Sequence, residues 1–156
     1  MDKDELRAIY KQIRLRMTDS EVSSKSRMIN RRLLNEVKWT KYENICAYEP
    51  VSGLNEVDIE ALVIRLRRQP GLELAIVSPH KNAVIPKAKF DLILVPCLAF
   101  DDSNHRLGWG GGWYDKFLAQ QPQAYKIGLG FGGGHIEVGI PREPHDIPLD
   151  EVITEV

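Results

Sequence analysis

Cysteine is scarce in this chain. Cys46 and Cys97 are the only two, far apart, each inside an apolar run. That excludes a disulfide framework and a cysteine zinc site. Two buried free thiols and a reducing, cytoplasmic setting are expected. Histidine is also rare, and His80, His105, His135 and His145 show no metal-ligand spacing, so each reads as a loop histidine. No apolar run approaches the roughly 20 residues a bilayer span requires. Met1 to Arg7 is charged and lacks an apolar stretch, so no secretory signal is expected. Neither sign of charge dominates. Lys and Arg total 21 against 22 Asp and Glu, a net charge of −1, which argues against coating nucleic acid or an anionic membrane. Repeats and low-complexity segments are missing too. Ser78 and Ser103 lack the turn context of an activated nucleophile.

What remains is an ordinary globular composition, 43% hydrophobic and 28% charged over 156 residues. It reads as a single domain, 1–156, long enough to bury a core without staples. Leu6, Ile9, Tyr10, Ile13 and Met17 recur at helix spacing and predict a first helix from Asp4 to Met17. Lys3, Arg7, Lys11 and Arg14 fall on a neighbouring face, and such a basic stripe ordinarily faces solvent. Thr18-Asp19-Ser20-Glu21 is a capping box opening a second helix to about Val37. Strands are predicted over Asn44–Tyr48, Leu72–Ser78, Phe90 to about Val95, and Tyr125–Phe131, with a short one at Glu151–Thr154. A third helix, capped by Asn55, uses Ile59, Leu62, Val63 and Leu66 as its core face, and Gln69-Pro70-Gly71 stops it. Pro79–Lys89 and Pro96–Gly111 read as loops, and a last helix runs from about Gly112 to Gln121. The third strand has no polar alternation, as in a parallel sheet buried on both faces. Strands alternating with helices predict an α/β fold, a mostly parallel sheet between two helical layers.

Ligands in such folds gather at the carboxyl ends of the strands. There the chain carries Arg106-Leu107-Gly108-Trp109-Gly110-Gly111-Gly112-Trp113-Tyr114-Asp115. Four glycines in five residues allow a tight turn and close backbone approach to a ligand. Amides freed by such a turn, backed by a helix start, suit phosphate. Arg106 adds a forked cation, Asp115 could hold Mg²⁺, and Trp109, Trp113 and Tyr114 offer flat faces to a heterocycle. The spacing is neither that of the P-loop nor of the dinucleotide fingerprint.

Asp91-Leu92-Ile93-Leu94-Val95-Pro96, then Leu98-Ala99-Phe100-Asp101, then Arg106 through Asp115 resembles the signature of the 5-formyltetrahydrofolate cyclo-ligases, or methenyltetrahydrofolate synthetases. The opening helix with Lys3 and Arg7, the stretch Tyr48-Glu49-Pro50 through Asn55-Glu56-Val57-Asp58, and Pro144-His145-Asp146 through Thr154 are similar to the same family. The resemblance implies a three-layer α/β/α sandwich related to ribose-phosphate isomerases and CoA transferases. It implies an ATP- and Mg²⁺-dependent ligase: ATP phosphorylates the formyl oxygen of 5-formyltetrahydrofolate, N10 attacks the activated carbon, and phosphate leaves to give 5,10-methenyltetrahydrofolate. Phosphorylation converts a poor leaving group into a good one.

The resemblance further implies that Lys3, Arg7 and the loop Arg106, Leu107, Gly108, Trp109, Gly110, Gly111, Gly112, Trp113 and Tyr114 bind ATP. Arg106 and Tyr114 would act in catalysis. Val51, Glu56 and Tyr114 would contact the folate, Glu56 accepting paired N–H bonds from the pterin. Asp115 and Asp146 would bind the metal, in a monomer whose substrate can carry a polyglutamate tail. Trp109 and Trp113 stand where the family often has Tyr or Phe, and the stretch from Leu72 to Phe90 is shorter than usual. The alternative is therefore a paralogue that binds nucleotide or folate without turnover. A sugar-phosphate or CoA-handling enzyme on the same sheet lacks its Glu or Lys constellation here.

Overall fold

Two capping boxes start the two long N-terminal helices of the computed structural model, which describes residues 1–79 and 83–156. In α1 (Lys3–Leu15) the Asp2 carboxylate accepts from the Glu5 amide while the Glu5 carboxylate accepts from the Asp2 amide. In α2 (Asp19–Glu36) Thr18 and Glu21 do the same. Each box satisfies amides that a helix start leaves unpaired. The chain continues through β1 (Asn44–Tyr48), α3 (Glu60–Arg67), β2 (Glu73–Val77), β3 (Leu92–Pro96), β4 (Ala99–Asp101), β5 (Arg106–Leu107), α4 (Trp113–Ala119), β6 (Tyr125–Leu129), β7 (His135–Ile136) and β8 (Glu151–Ile153). His80 and the middle of the expected 79–89 loop lie outside the described residues.

The main sheet has the order β2-β1-β3-β6-β8, and every neighbouring pair is parallel. β3 is its centre and is buried along its whole length, as the unbroken apolar run predicts. The crossover from β1 through α3 to β2 runs one way along the sheet, and that from β3 through α4 to β6 runs the other way. Right-handed crossovers then put α3 and α4 on opposite faces, and α2 packs with α3. The expected α/β/α layering results, with a topological switch point between β1 and β3. The main core joins Ile29 and Leu33 of α2, Leu62 and Leu66 of α3, and Phe117 and Leu118 of α4 to the strands.

Four local expectations are revised. The stretch 96–111 is not all loop: β4 and β5 pair antiparallel there, and β7 adds to β4 in parallel, making a second small sheet. Its own cluster, Leu6, Ala99, Leu107, Ile136 and Ile140, seats α1. Strands of two or three residues are too short to display a period. The apolar stripe of α1 is only partly used, since Ile9 and Ile13 stay exposed. Arg14, assigned to a solvated face, is buried. Asn55 does not cap α3. It sits at φ +51° and its side-chain amide donates to the carbonyls of Arg14 and Met17, closing the end of α1 instead. The amide of Glu60, first residue of α3, is taken by the Asp58 carboxylate.

Candidate functional site

The carboxyl ends of β1 and β3 open into a cleft of about 440 Å³. Its wall is the glycine loop that joins β5 to α4. Arg106 enters that loop with Nε and Nη2 donating to the Pro96 carbonyl at 3.3 and 3.0 Å, and its guanidinium lies 5.1 Å from the centre of the Tyr114 ring. A side chain at Gly108 would collide with this guanidinium, its Cβ falling 2.8 Å from Nη2. Gly110 (φ +116°) and Gly112 (φ +71°) make the turn in backbone conformations that L residues avoid. Among the described residues no amide from Trp109 to Gly112 donates a hydrogen bond within the chain.

The basic stripe of α1 clasps this loop. Arg7 Nε donates to the Gly108 carbonyl at 3.2 Å, and Lys11 Nζ lies 5.7 Å from the centre of the Trp109 ring. Lys3 reaches further along the same wall, its ammonium 2.8 and 2.7 Å from the two carboxylate oxygens of Asp146. The face expected to meet solvent is thus the inner face of the helix.

Opposite the loop, Asp115 in the first turn of α4 meets the segment carrying His145 and Asp146. One ligand-type atom from each lies within 4.8 Å of the others. Burial pushes the Asp146 carboxyl up, but the Lys3 ammonium and the Glu143 amide outweigh it and hold the group below the usual carboxylate range. His145 shows no ligand spacing in sequence, because the partner that Asp146 and His145 meet lies on a helix thirty positions away.

The third wall carries Glu56, 7% exposed, with Oε1 accepting from the Val51 amide at 2.7 Å. Burial raises its pKa. The Val51 amide and the charges of Arg14 and Arg106 oppose that rise without cancelling it. Val51 stands exposed on the rim. Between Glu56 and Arg106 sits Tyr114, whose hydroxyl is, among the described residues, the buried side-chain polar atom without a partner. Burial drives its pKa well above the phenol value, against the pull of Arg106. Trp113 packs against Tyr114 and donates its indole N–H to the Ala83 carbonyl at 3.2 Å, fastening Ala83 to the start of α4.

Residues 65–155 match the model of the 5-formyltetrahydrofolate cyclo-ligase family. The chain belongs to that family. A 5-formyltetrahydrofolate cyclo-ligase of Mycoplasma pneumoniae is 30% identical, over 99% of each chain. A solved 5,10-methenyltetrahydrofolate synthetase from Mycoplasma pneumoniae superposes with a TM-score of 0.80 at 27% identity, covering 100% of both chains. The Aquifex aeolicus 5,10-methenyltetrahydrofolate synthetase gives 0.78 at 26% identity over 99% of this chain and 90% of that one. Cyclo-ligases of this family are enzymes, and the α/β/α fold read from the strand and helix pattern is theirs.

Seen as a cyclo-ligase fold, the cleft gathers Lys3, Arg7, Val51, Glu56, Arg106, Gly108 through Tyr114, Asp115 and Asp146 from four distant stretches of chain. Leu107 is the exception. Its side chain is buried in the small second core and contributes no surface to the cleft. Sequence reasoning missed His145, the Pro96 carbonyl that anchors Arg106, and Glu49, whose carboxylate accepts from the Ser78 hydroxyl at 2.8 Å beside the cleft. No residue type announces a carbonyl anchor, and only the folded strand order brings β1, β3 and α4 together.

Proposed function

We propose that this single-domain chain, 1–156, closes 5-formyltetrahydrofolate to 5,10-methenyltetrahydrofolate at the expense of ATP, releasing ADP and phosphate. The observation that carries this is the convergence in one cleft of unpaired loop amides, the cations of Lys3, Arg7 and Arg106, and a buried carboxylate beside an unpartnered phenol.

Lys3, Arg7 and Arg106 would neutralise phosphate oxygens, and the amides from Trp109 to Gly112 would donate to them. Asp115 and Asp146 supply hard oxygen donors of the kind Mg²⁺ takes, so the donor set fits that cation. When bound, Mg²⁺ would offset phosphate charge. Lys3, paired with Asp146 in the structure, would add its charge to that neutralisation. Glu56 has one oxygen fixed by Val51 and would accept the N–H pair of the pterin edge, while Val51 packs on its ring. The Tyr114 hydroxyl would complete its hydrogen bonding on the folate or the transferring group. Holding the two ligands in line is the main task in such a reaction.

Action as a monomer belongs to this proposal. The buried thiols support a cytoplasmic setting. A polyglutamate tail on the substrate is part of the same reading. The alternative, a binding paralogue without turnover, draws on the short 72–90 stretch. The relative called a cyclo-ligase that is matched over 99% of both chains favours turnover instead.

Purified chain mixed with 5-formyltetrahydrofolate, ATP and Mg²⁺ should develop the near-ultraviolet absorbance of the methenyl product, and omission of any one component should abolish it. Nucleotide binding with no absorbance change would establish the paralogue.

A further inference from the structure

Three consecutive carbonyls leave the end of β3, and each is taken by a guanidinium. Arg106 takes Pro96. Arg14 takes the next two, its Nη2 lying 2.6 Å from the Cys97 carbonyl and 3.2 Å from that of Leu98. Arg14 is 4% exposed, and its guanidinium lies 4.9 Å from the centre of the Phe131 ring. Among the described residues no carboxylate stands within salt-bridge distance of it. A buried guanidinium without an ion-pair partner is a costly way to anchor a helix. An apolar side chain at this position would dock α1 with less desolvation.

Its other contact identifies what it does. Arg14 Nη1 reaches the Asn55 carbonyl at 3.4 Å. In return, Asn55 Nδ2 donates to the carbonyls of Arg14 and Met17 at 3.0 and 3.1 Å. Among the described residues, Asn55 is one of two non-glycine residues at positive φ, +51°, a conformation that asparagine tolerates and that a local contact must hold. The next residue is Glu56. The link between α1, the end of β3 and the residue preceding the buried carboxylate is therefore reciprocal, with side chain to backbone in both directions.

We infer that Arg14 and Asn55 are positioning residues, a lock that fixes where the Glu56 carboxylate meets the pterin edge of the substrate. The inference rests on the role proposed for Glu56. Neither residue lines the 440 Å³ cleft, so both act through Glu56 and not by contact with ligand. Arg14 also sets a positive charge near the Glu56 carboxylate, opposing the rise in its pKa that burial causes.

The test uses the full chain and two separate titrations by calorimetry: 5-formyltetrahydrofolate without nucleotide, and Mg·ATP without folate. Asn55→Gly keeps the positive φ and deletes the amide bonds. Arg14→Lys keeps the charge and loses the fork that spans β3 and Asn55. Each should raise the folate Kd roughly tenfold and leave the Mg·ATP Kd within about twofold. In a Glu56→Gln background, Asn55→Gly should add less than about twofold to the folate Kd, since the lock has nothing left to aim. A purely structural role would move both affinities together, or lower only the active fraction, and either result overturns the inference. If Glu56→Gln weakens folate binding but the lock variants do not, the inference fails alone. If Glu56→Gln itself leaves folate affinity unchanged, the role of Glu56 falls and the lock with it. Should Arg14→Lys fail to fold, Asn55→Gly decides.

Discussion

Glu56 and Tyr114 each keep a polar group in the protein interior at a cost to the ligand-free fold. The folded Glu56 carboxyl titrates above its unfolded value because burial outweighs its amide and arginine neighbours. The native state therefore holds a proton that the unfolded chain has released, and the stability contribution of Glu56 falls as pH rises from the ordinary carboxylate range through the raised value. Glu56→Gln should accordingly raise the melting temperature at neutral pH while weakening 5-formyltetrahydrofolate binding roughly 10- to 100-fold, the scale of a hydrogen bond to a charged group. Thermal melts and titrations on one preparation check both signs. Wild-type folate binding should fade on acidification through the raised pKa, a dependence the variant should lose. Tyr114→Phe removes the buried unpartnered hydroxyl. It should stabilise the ligand-free protein by about 1 kcal/mol or more and lower kcat. A melting temperature unchanged or reduced would mean that the hydroxyl has a partner in solution. Residue types announced part of this. Arg106, Asp115 and the glycines could be picked from their crowding in sequence, whereas Glu56 reads as a helix-start carboxylate until the fold buries it twelve positions beyond the start of β1.

The glycine loop and α1 behave as one element. Gly110, Gly111 and Gly112 look alike in sequence, yet only the first and last stand at positive φ. A methyl group meets nothing within 4 Å at Gly111 or Gly112, and only the Arg7 side chain at 3.7 Å at Gly110. Backbone strain, not crowding, therefore separates the three. Gly110→Ala and Gly112→Ala should each cost about 1–3 kcal/mol, roughly 2–10 °C in melting temperature for a chain of this size, and Gly111→Ala should cost nothing measurable in the absence of ligand. α1 was legible from its apolar period and α2 from the Thr18–Glu21 capping box, because both signals are local. The facing of α1 was not. Its spacing marks an apolar stripe, but the surface that receives it is a row of strand-end carbonyls and a polar loop, and that surface selects Arg14, Arg7 and Lys3 over Ile9 and Ile13. β4, β5 and β7 escaped detection because pairing over two or three residues depends wholly on distant partners.

Across the whole molecule, the parallel sheet follows from strands that are apolar without alternation, and the opposed crossovers follow from chain handedness. Both thiols sit within this sheet region, Cys46 at 0% exposure and Cys97 at 1%. Burial pushes the Cys46 thiol up to about 12 and raises Cys97 as well. Neither offers a thiolate in the native state, so a water-soluble disulfide reagent should label both only as denaturant unfolds the chain, with labelling superimposed on the loss of helical signal. Labelling before that transition would indicate local opening at the strand ends. The Lys3–Asp146 pair has a consequence for biosynthesis. Its two members are 143 positions apart, so a growing polypeptide carries the first cation long before the carboxylate that receives it has been translated. On the metal-binding role proposed for Asp146, nascent copies that have not yet exposed this residue should be unable to retain Mg·nucleotide, and capability should appear abruptly once it leaves the ribosome rather than accumulate with length.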